Sequence, residues 1–376
     1  MITNPITYLF ILALLATSFY LFEQKSKLKL FRYVPSIVMV YGFAMVLASF
    51  GVFANNEELT TIYKLAKANL LPAMLFLILL QVDLRDFFKL GKKLLGAYLL
   101  AVFSIAFAFV VVVWLFGFEQ ESAGAFGALA GSWMGGTANM IAVGAALQVS
   151  EETFGVAMVV DSVNYTLWVA LLLFLVPFAN LFNRYVGAQS TQSVVCEIGC
   201  SCTIGAKRYW LLVALAFVAS FLAQLIASWI TFLNTTTTVV VVAAVMGIAG
   251  SLTKLRELNG SSELASTMLY LLVALIGSRA TIESFSGVGI YVVAGFCILA
   301  VHFFIMAVGA KLFKLDLFSI SVASLSNIGG VASAPILAAT YDKKLVGIGV
   351  LMAIAGYLIG TFGGLGVGYI LIWIAQ

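Results

Sequence analysis

Two octapeptides carry most of the chemistry open to this chain. The first reads Ser132-Trp133-Met134-Gly135-Gly136-Thr137-Ala138-Asn139, and the second Ser326-Asn327-Ile328-Gly329-Gly330-Val331-Ala332-Ser333. Each places amide and hydroxyl side chains around a Gly-Gly pair, within a long apolar run. Each Gly lowers helix propensity by about 1 kcal/mol relative to Ala, and Pro335 removes a further backbone donor beside the second copy. Unwound backbone at membrane depth is tolerated only where protein or a water-lined cavity satisfies it. The carbonyls freed at such a break suit cations, and half-helix N-termini suit anions. The candidate substrate-binding set is therefore Ser132, Gly135, Gly136, Thr137 and Asn139 with Ser326, Asn327, Gly329, Gly330 and Ser333.

Asp161 is the clearest carboxylate inside an apolar run, and helical spacing puts Asp161, Asn164 and Trp168 on one face. A charge there is costly unless it faces the bundle interior beside a partner or an ion. Asp161 and Asn164 are thus the candidate cation-coupling residues. The carboxylate is expected close to the unwound 135–139 or 329–333 backbone, with Asn139 as a further ligand. The corresponding residue of the second copy is Ala355, so the carboxylate is asymmetric.

Other polar residues carry less. Arg85 and Arg279 match across the two copies and are read as interfacial anchors, with anion steering or gating as the alternative role. His302 is the one histidine and is read as a satisfied helix-packing residue. Gly356, Gly360, Gly364 and Gly368 form a ridge on which another helix can approach closely. Cys196, Cys200 and Cys202 are spaced C-x3-C-x-C without a neighbouring His, which is not a zinc pattern. No protease, hydrolase, Walker or dinucleotide motif is present. No catalytic residue, metal site or resident cofactor is expected; Na⁺ enters only as a coupling ion.

The elements that must hold these residues are membrane helices. Of the 376 residues, 63% are hydrophobic and 10% charged, which excludes a soluble protein. Apolar runs of about 17 to 30 residues recur, each able to cross about 30 Å of hydrocarbon, and the strand-period alternation of a barrel is missing. Spans are expected at 6–22, 34–54, 64–82, 94–116, 122–148, 153–181, 209–232, 236–252, 264–282, 288–312, 316–340 and 345–374. The net charge of +4 gives no case for nucleic acid, because Lys and Arg sit in the turns. Lys25, Lys27, Lys29 and Arg32 follow the first apolar run, so that run is retained and its C-terminal end is placed in the cytoplasm.

Gly135 and Gly329 are 194 residues apart, and the same offset pairs Met74-Leu75 with Met268-Leu269, Arg85 with Arg279, and Gly155-Val156 with Gly349-Val350. The chain therefore reads as a first transmembrane repeat over 1–181, a linker over 182–208 and a second repeat over 209–376. Units 64–181 and 258–376 are expected to superpose. Simple alternation of the spans leaves Lys and Arg nearly balanced across the membrane. Inverting the second half moves Arg184, Lys207, Arg208, Lys254, Arg256, Lys311 and Lys314 inside, which the positive-inside rule favours. Inversion needs an odd number of crossings before residue 209, so 187–206 is expected to make a thirteenth crossing or an unusual passage. Residues 83–93 look like a short interfacial helix, with 277–287 in the matching place.

The octapeptides, with the Asp161/Asn164 segment, resemble the YjcL-like family of multi-spanning membrane proteins of unknown function. More distantly they are similar to the bile-acid sodium symporter, glutamate–sodium symporter and sodium–proton antiporter group. That wider resemblance implies a panel domain and a core domain that moves against it. The fold expected is an all-α polytopic membrane protein of two inverted helical repeats, each with a broken helix. The function expected is secondary active transport of a small organic anion by alternating access, sodium- or proton-coupled, in the bacterial inner membrane. The alternatives are a cation–proton antiporter and a non-transporting scaffold or receptor. Expected partners are the small-molecule substrate, membrane lipid and, on the early spans 6–54 and 209–252, a second copy in a homodimer.

Overall fold

In hydrocarbon, a chain without a closed barrel can satisfy its backbone only as helix. The computed structural model describes residues 1–25, 36–82, 90–189, 205–230, 233–258, 260–280 and 287–376. Among these residues it holds fifteen α-helices and no β-strand, only a lone bridge between Ile2 and Phe53. They are α1 (Pro5–Lys25), α2 (Ser36–Ser49), α3 (Glu57–Leu80), α4 (Gly91–Phe116), α5 (Gln120–Gly135), α6 (Thr137–Ala146), α7 (Glu151–Leu175) and α8 (Ala179–Val186). Then follow α9 (Ala206–Ala227), α10 (Thr235–Ser251), α11 (Ser261–Gly277), α12 (Val288–Phe313), α13 (Leu317–Ile328), α14 (Gly330–Tyr341) and α15 (Val346–Ile374). Seven of the described helical stretches are long and apolar enough to cross a membrane.

Local chemistry sets several ends. The Asn56 side chain accepts the Leu59 amide at 2.9 Å, and Glu57 and Glu58 favour the positive end of α3. Asn234 caps α10 in the same way through Thr237. The expected spans 122–148 and 316–340 are each two helices, α5–α6 and α13–α14, interrupted at the Gly pairs. Span 153–181 is α7, which continues through a 3₁₀ turn at Val176–Phe178 into α8. Arg85, Cys196, Cys200, Cys202, the proposed linker passage at 190–204 and parts of the two interfacial segments (83–89 and 281–286) lie outside the described residues.

The chain forms two compact units that each draw on both sequence halves. The first comprises Met1–Gln81, Gln148–Ser162 and Thr203–Val288. Within it, Gly247 of α10 lets α3 approach through the Phe76 carbonyl, and Gly277 of α11 sits against the Tyr41 backbone. The Tyr8 and Ser278 hydroxyls share a hydrogen bond of 2.6 Å. Lys67 pairs with Glu151 at 2.6 Å, and Tyr63 donates to the same carboxylate.

The second unit comprises Val82–Leu147, Val163–Cys202 and Gly289–Gln376. Here α5 and α15 run backbone against backbone. A methyl group on Gly127 would lie 2.6 Å from the Gly368 α-carbon, and one on Gly364 would lie 2.6 Å from the Gly131 α-carbon. The four-residue glycine ridge of α15 thus meets a second ridge, Gly127, Gly131 and Gly135, on α5. Side-chain-free contact of this kind lets two helix backbones pack at close range.

Candidate functional site

Both interruptions belong to the second unit. At the first, α5 ends on Gly135 and α6 opens on Thr137. Gly136 between them has φ +91°, which L-residues with a β-carbon rarely adopt. Asn139 then turns back along the helix: its Nδ2 donates to the Gly135 carbonyl at 2.8 Å. Its Oδ1 accepts from the Thr361 hydroxyl at 2.5 Å. Ser132 is engaged as well, Trp133 is buried edge-on to Phe109, and Thr137 is half-buried. A methyl on Gly135 would overlap the Gly356 carbonyl oxygen, so α15 closes this break from outside.

The second break follows the same plan to a different end. Helix α13 stops at Ile328, and α14 opens on Gly330, whose φ is +60°. Each is 12 residues long, or about 18 Å at a rise of about 1.5 Å per residue. The break therefore lies near the middle of a pair long enough to cross a bilayer. Asn327 Nδ2 donates to the Ala323 carbonyl at 2.9 Å, one turn back, as Asn139 does to Gly135. Here the likeness ends. Asn327 Oδ1, Ser326 Oγ and Ser333 Oγ are buried and have no hydrogen-bond partner among the described residues. The Ser333 hydroxyl fills the space that a side chain at 329 would need, and the Tyr165 ring flanks the same glycine.

The two octapeptides converge on Gly356 of α15. A methyl there would lie 3.1 Å from the Gly135 α-carbon, 3.2 Å from the Met134 carbonyl oxygen and 3.6 Å from that of Ser326. Neither octapeptide holds an ionisable side chain. The charge available to a ligand is that of the helix ends: carbonyls at the ends of α5 and α13, amides at the starts of α6 and α14.

Helix α7 carries Asp161, Asn164 and Trp168, but the boundary between the units falls within it, after Ser162. Asp161 is half-buried and belongs to the first unit; Asn164 is fully buried and belongs to the second, where its Nδ2 donates to the Val292 carbonyl at 3.4 Å. Arg279, also in the first unit, stacks its guanidinium on the Tyr63 ring at 5.2 Å.

Sequence reasoning missed the partners. His302 is fully buried, with Ser104 Oγ 2.7 Å from Nδ1 and Ser324 Oγ 2.8 Å from Nε2. The Ser104 hydroxyl donates to the Ala101 carbonyl, so it accepts from Nδ1–H; Nε2 then accepts from Ser324, which in turn accepts from Trp168 Nε1–H at 2.9 Å. One neutral tautomer satisfies this whole chain, and it anchors α13 to α4, α7 and α12 shortly before the break. At the other end of α13 stands Asp316, 1% exposed, paired with Lys93 at 3.1 Å and accepting from Ser319. An Asp immediately before an apolar run is the local signal for this helix start. No local pattern marks Thr361 as the partner of Asn139, since the two are 222 residues apart.

Helices of this length and apolarity define an all-α polytopic membrane protein. The chain belongs to the family described as "Protein of unknown function (DUF819)", whose model matches residues 9–374. It is similar to the "Uncharacterized membrane protein YjcL" of Bacillus subtilis (strain 168), at 24% identity over 358 residues and 88% of each chain.

Proposed function

We propose that this protein is a secondary active transporter that moves a small organic anion across the bacterial inner membrane by alternating access, coupled to sodium or protons. The observation that carries the reading is the convergence of two interrupted helices on Gly356, each lined by amides and hydroxyls inside an apolar unit. A purely structural bundle gains nothing from two such breaks, whereas half-helix ends at mid-depth offer fixed dipoles to a desolvated ligand.

The order of elements supports a repeat. Helices α3, α4, α5, α6 and α7 are followed, 194 residues on to within a few positions at most starts, by α11, α12, α13, α14 and α15. The opening helices of both halves fall in the first unit and the broken ones in the second. We assign the first unit the panel role, with any homodimer contact, and the second the moving core. Inversion of the halves rests on the placement of Lys and Arg. Asp161 and Asn164 keep the proposed coupling role, because a half-buried carboxylate in an apolar helix marks an ion or proton pathway more often than a packing position.

A stabilisation screen of small carboxylates on purified protein tests this, run in sodium and in choline at equal ionic strength. We expect one class of organic anion to raise the unfolding temperature, and to do so more in sodium or at lower pH. Asp161→Asn should remain folded and lose that ion dependence. Full ion-dependent stabilisation in Asp161→Asn would remove Asp161 from the coupling role, and stabilisation by no anion under any condition would count against the transporter reading itself.

A further inference from the structure

We infer that the second break alone, and not the first, holds a monovalent cation, with Asn327 Oδ1, Ser326 Oγ and Ser333 Oγ among its ligands. Buried side-chain oxygens in folded proteins nearly always have a partner, and each exception calls for a reason. At the first break the accounting closes: both ends of the Asn139 amide are used and Ser132 is engaged. At the second, three oxygens within eight residues are left without a partner among the described residues, with Ser326 and Asn327 at 0% exposure and Ser333 at 6%.

The chemistry of the three selects the ligand. Asn327 Nδ2 gives one N–H to the Ala323 carbonyl, which fixes the orientation of the amide and leaves its oxygen without a partner among the described residues. An amide oxygen accepts and cannot donate, so whatever meets it is a cation or a hydrogen-bond donor. Ser326 and Asn327 lie in the last turn of α13, where the unpaired carbonyls put the negative end of the helix dipole. The Ser333 hydroxyl stands against Gly329, inside the break itself. Hydroxyl, amide and peptide oxygens are hard ligands, and a set with no carboxylate suits a singly charged ion better than a divalent one. Sodium fits this donor set. The inference rests on the transporter reading for the use of the ion and adds this site to the coupling role proposed for Asp161, but its test needs no substrate.

The experiment is equilibrium binding of radioactive sodium to the purified full-length protein, with potassium and choline as competitors. We expect saturable sodium binding that choline does not displace. Asn327→Ala and Ser326→Ala should each weaken it about tenfold or more, and Asn139→Ala should leave the affinity within about twofold. Ser326→Ala guards against misfolding as the cause: its hydroxyl has no partner to lose, so in choline its unfolding temperature should match or exceed that of the parent. Unchanged affinity in both Asn327→Ala and Ser326→Ala would overturn the assignment, as would loss of binding in Asp161→Asn alone. Absence of any saturable sodium binding would overturn it too. Sodium binding that behaves as expected while no organic anion binds would leave this site standing and sink the transporter reading instead.

Discussion

The two helix breaks differ in what packs against them. The first is met by glycines: Gly356, Gly360 and Gly364 of α15 lie on Gly135 and Gly131, and Thr361 from the same helix closes the Asn139 amide. The second also lies against α15, where Gly349 meets the Ala334 carbonyl and the Pro335 α-carbon of α14, but among the described residues no side chain closes the Asn327 amide oxygen, and the Tyr165 ring flanks Gly329. Backbone lies on backbone in both cases, but a side-chain donor reaches the asparagine oxygen only in the first. One copy of the motif has become a joint that is sealed, and the other has kept its oxygens open. A tandem repeat supplies the same break twice; one side chain of α15, Thr361, closes one copy and not the other.

The most forceful way to break this comparison is to fill the ridge. Gly364→Leu would drive a side chain into the Gly131 backbone, 2.6 Å from where its first carbon must sit, with Val143 packed beside it. Overpacking a close-fitted core costs about 1–3 kcal/mol and more where backbone blocks relaxation. We expect little or no folded, detergent-soluble protein, judged by size-exclusion chromatography. Gly349→Leu, whose first side-chain carbon would lie 2.8 Å from the Ala334 carbonyl oxygen of α14, is the matching change beside the second break; a variant that stays folded would show that α15 fits the second break more loosely than the first.

A smaller effect is expected from His302→Phe. The ring keeps its shape, but Ser324 loses its acceptor and Ser104 the donor from Nδ1. Interhelical hydrogen bonds in membranes are worth about 0.6 kcal/mol each on average and up to about 1.7, so two should lower stability by about 1–3 kcal/mol in reversible SDS unfolding. The tie anchors α13, so sodium affinity should fall with stability. A variant as stable as the parent would mean that Trp168 and packing alone hold Ser324.

How much of this was legible in the chain follows from the range of each interaction. The Gly-Gly pairs, with Ser132, Asn139, Ser326 and Asn327 around them, mark both breaks because helix propensity and backbone satisfaction act within a few residues. The α15 glycine ridge is equally plain, since its four-residue spacing is a local pattern. The His302 chain and the Asn139–Thr361 bond are not, because Ser104, Ser324 and Thr361 are ordinary small polar residues until the fold brings them within reach. The division of α7 between two units is hidden for the same reason: Asp161 and Asn164 share a helical face in the sequence, yet long-range packing assigns them to different units. Which break is open could be read only from where Thr361 of α15 falls in the assembled core.

The smallest effect is the most informative, because it sets the two asparagines against each other. Asn139→Ala removes a bond to Gly135 and strands the Thr361 hydroxyl, which is buried without exposure. A buried polar group left unpaired costs about 1–3 kcal/mol, and membrane values put the loss toward the lower end of that range. Asn327→Ala removes one bond to Ala323, but it also removes an amide oxygen that had no partner. The two terms oppose, so in choline the change should be within about 0.5 kcal/mol of zero, by the average for a single membrane hydrogen bond. In saturating sodium the order should reverse. The parent gains stability from an ion that binds only the folded state, Asn139→Ala gains it too, and Asn327→Ala does not. Unfolding curves of the three proteins in the two salts give the result. A sodium increment shared equally by all three would mean that the open oxygens of the second break are not where the ion is held.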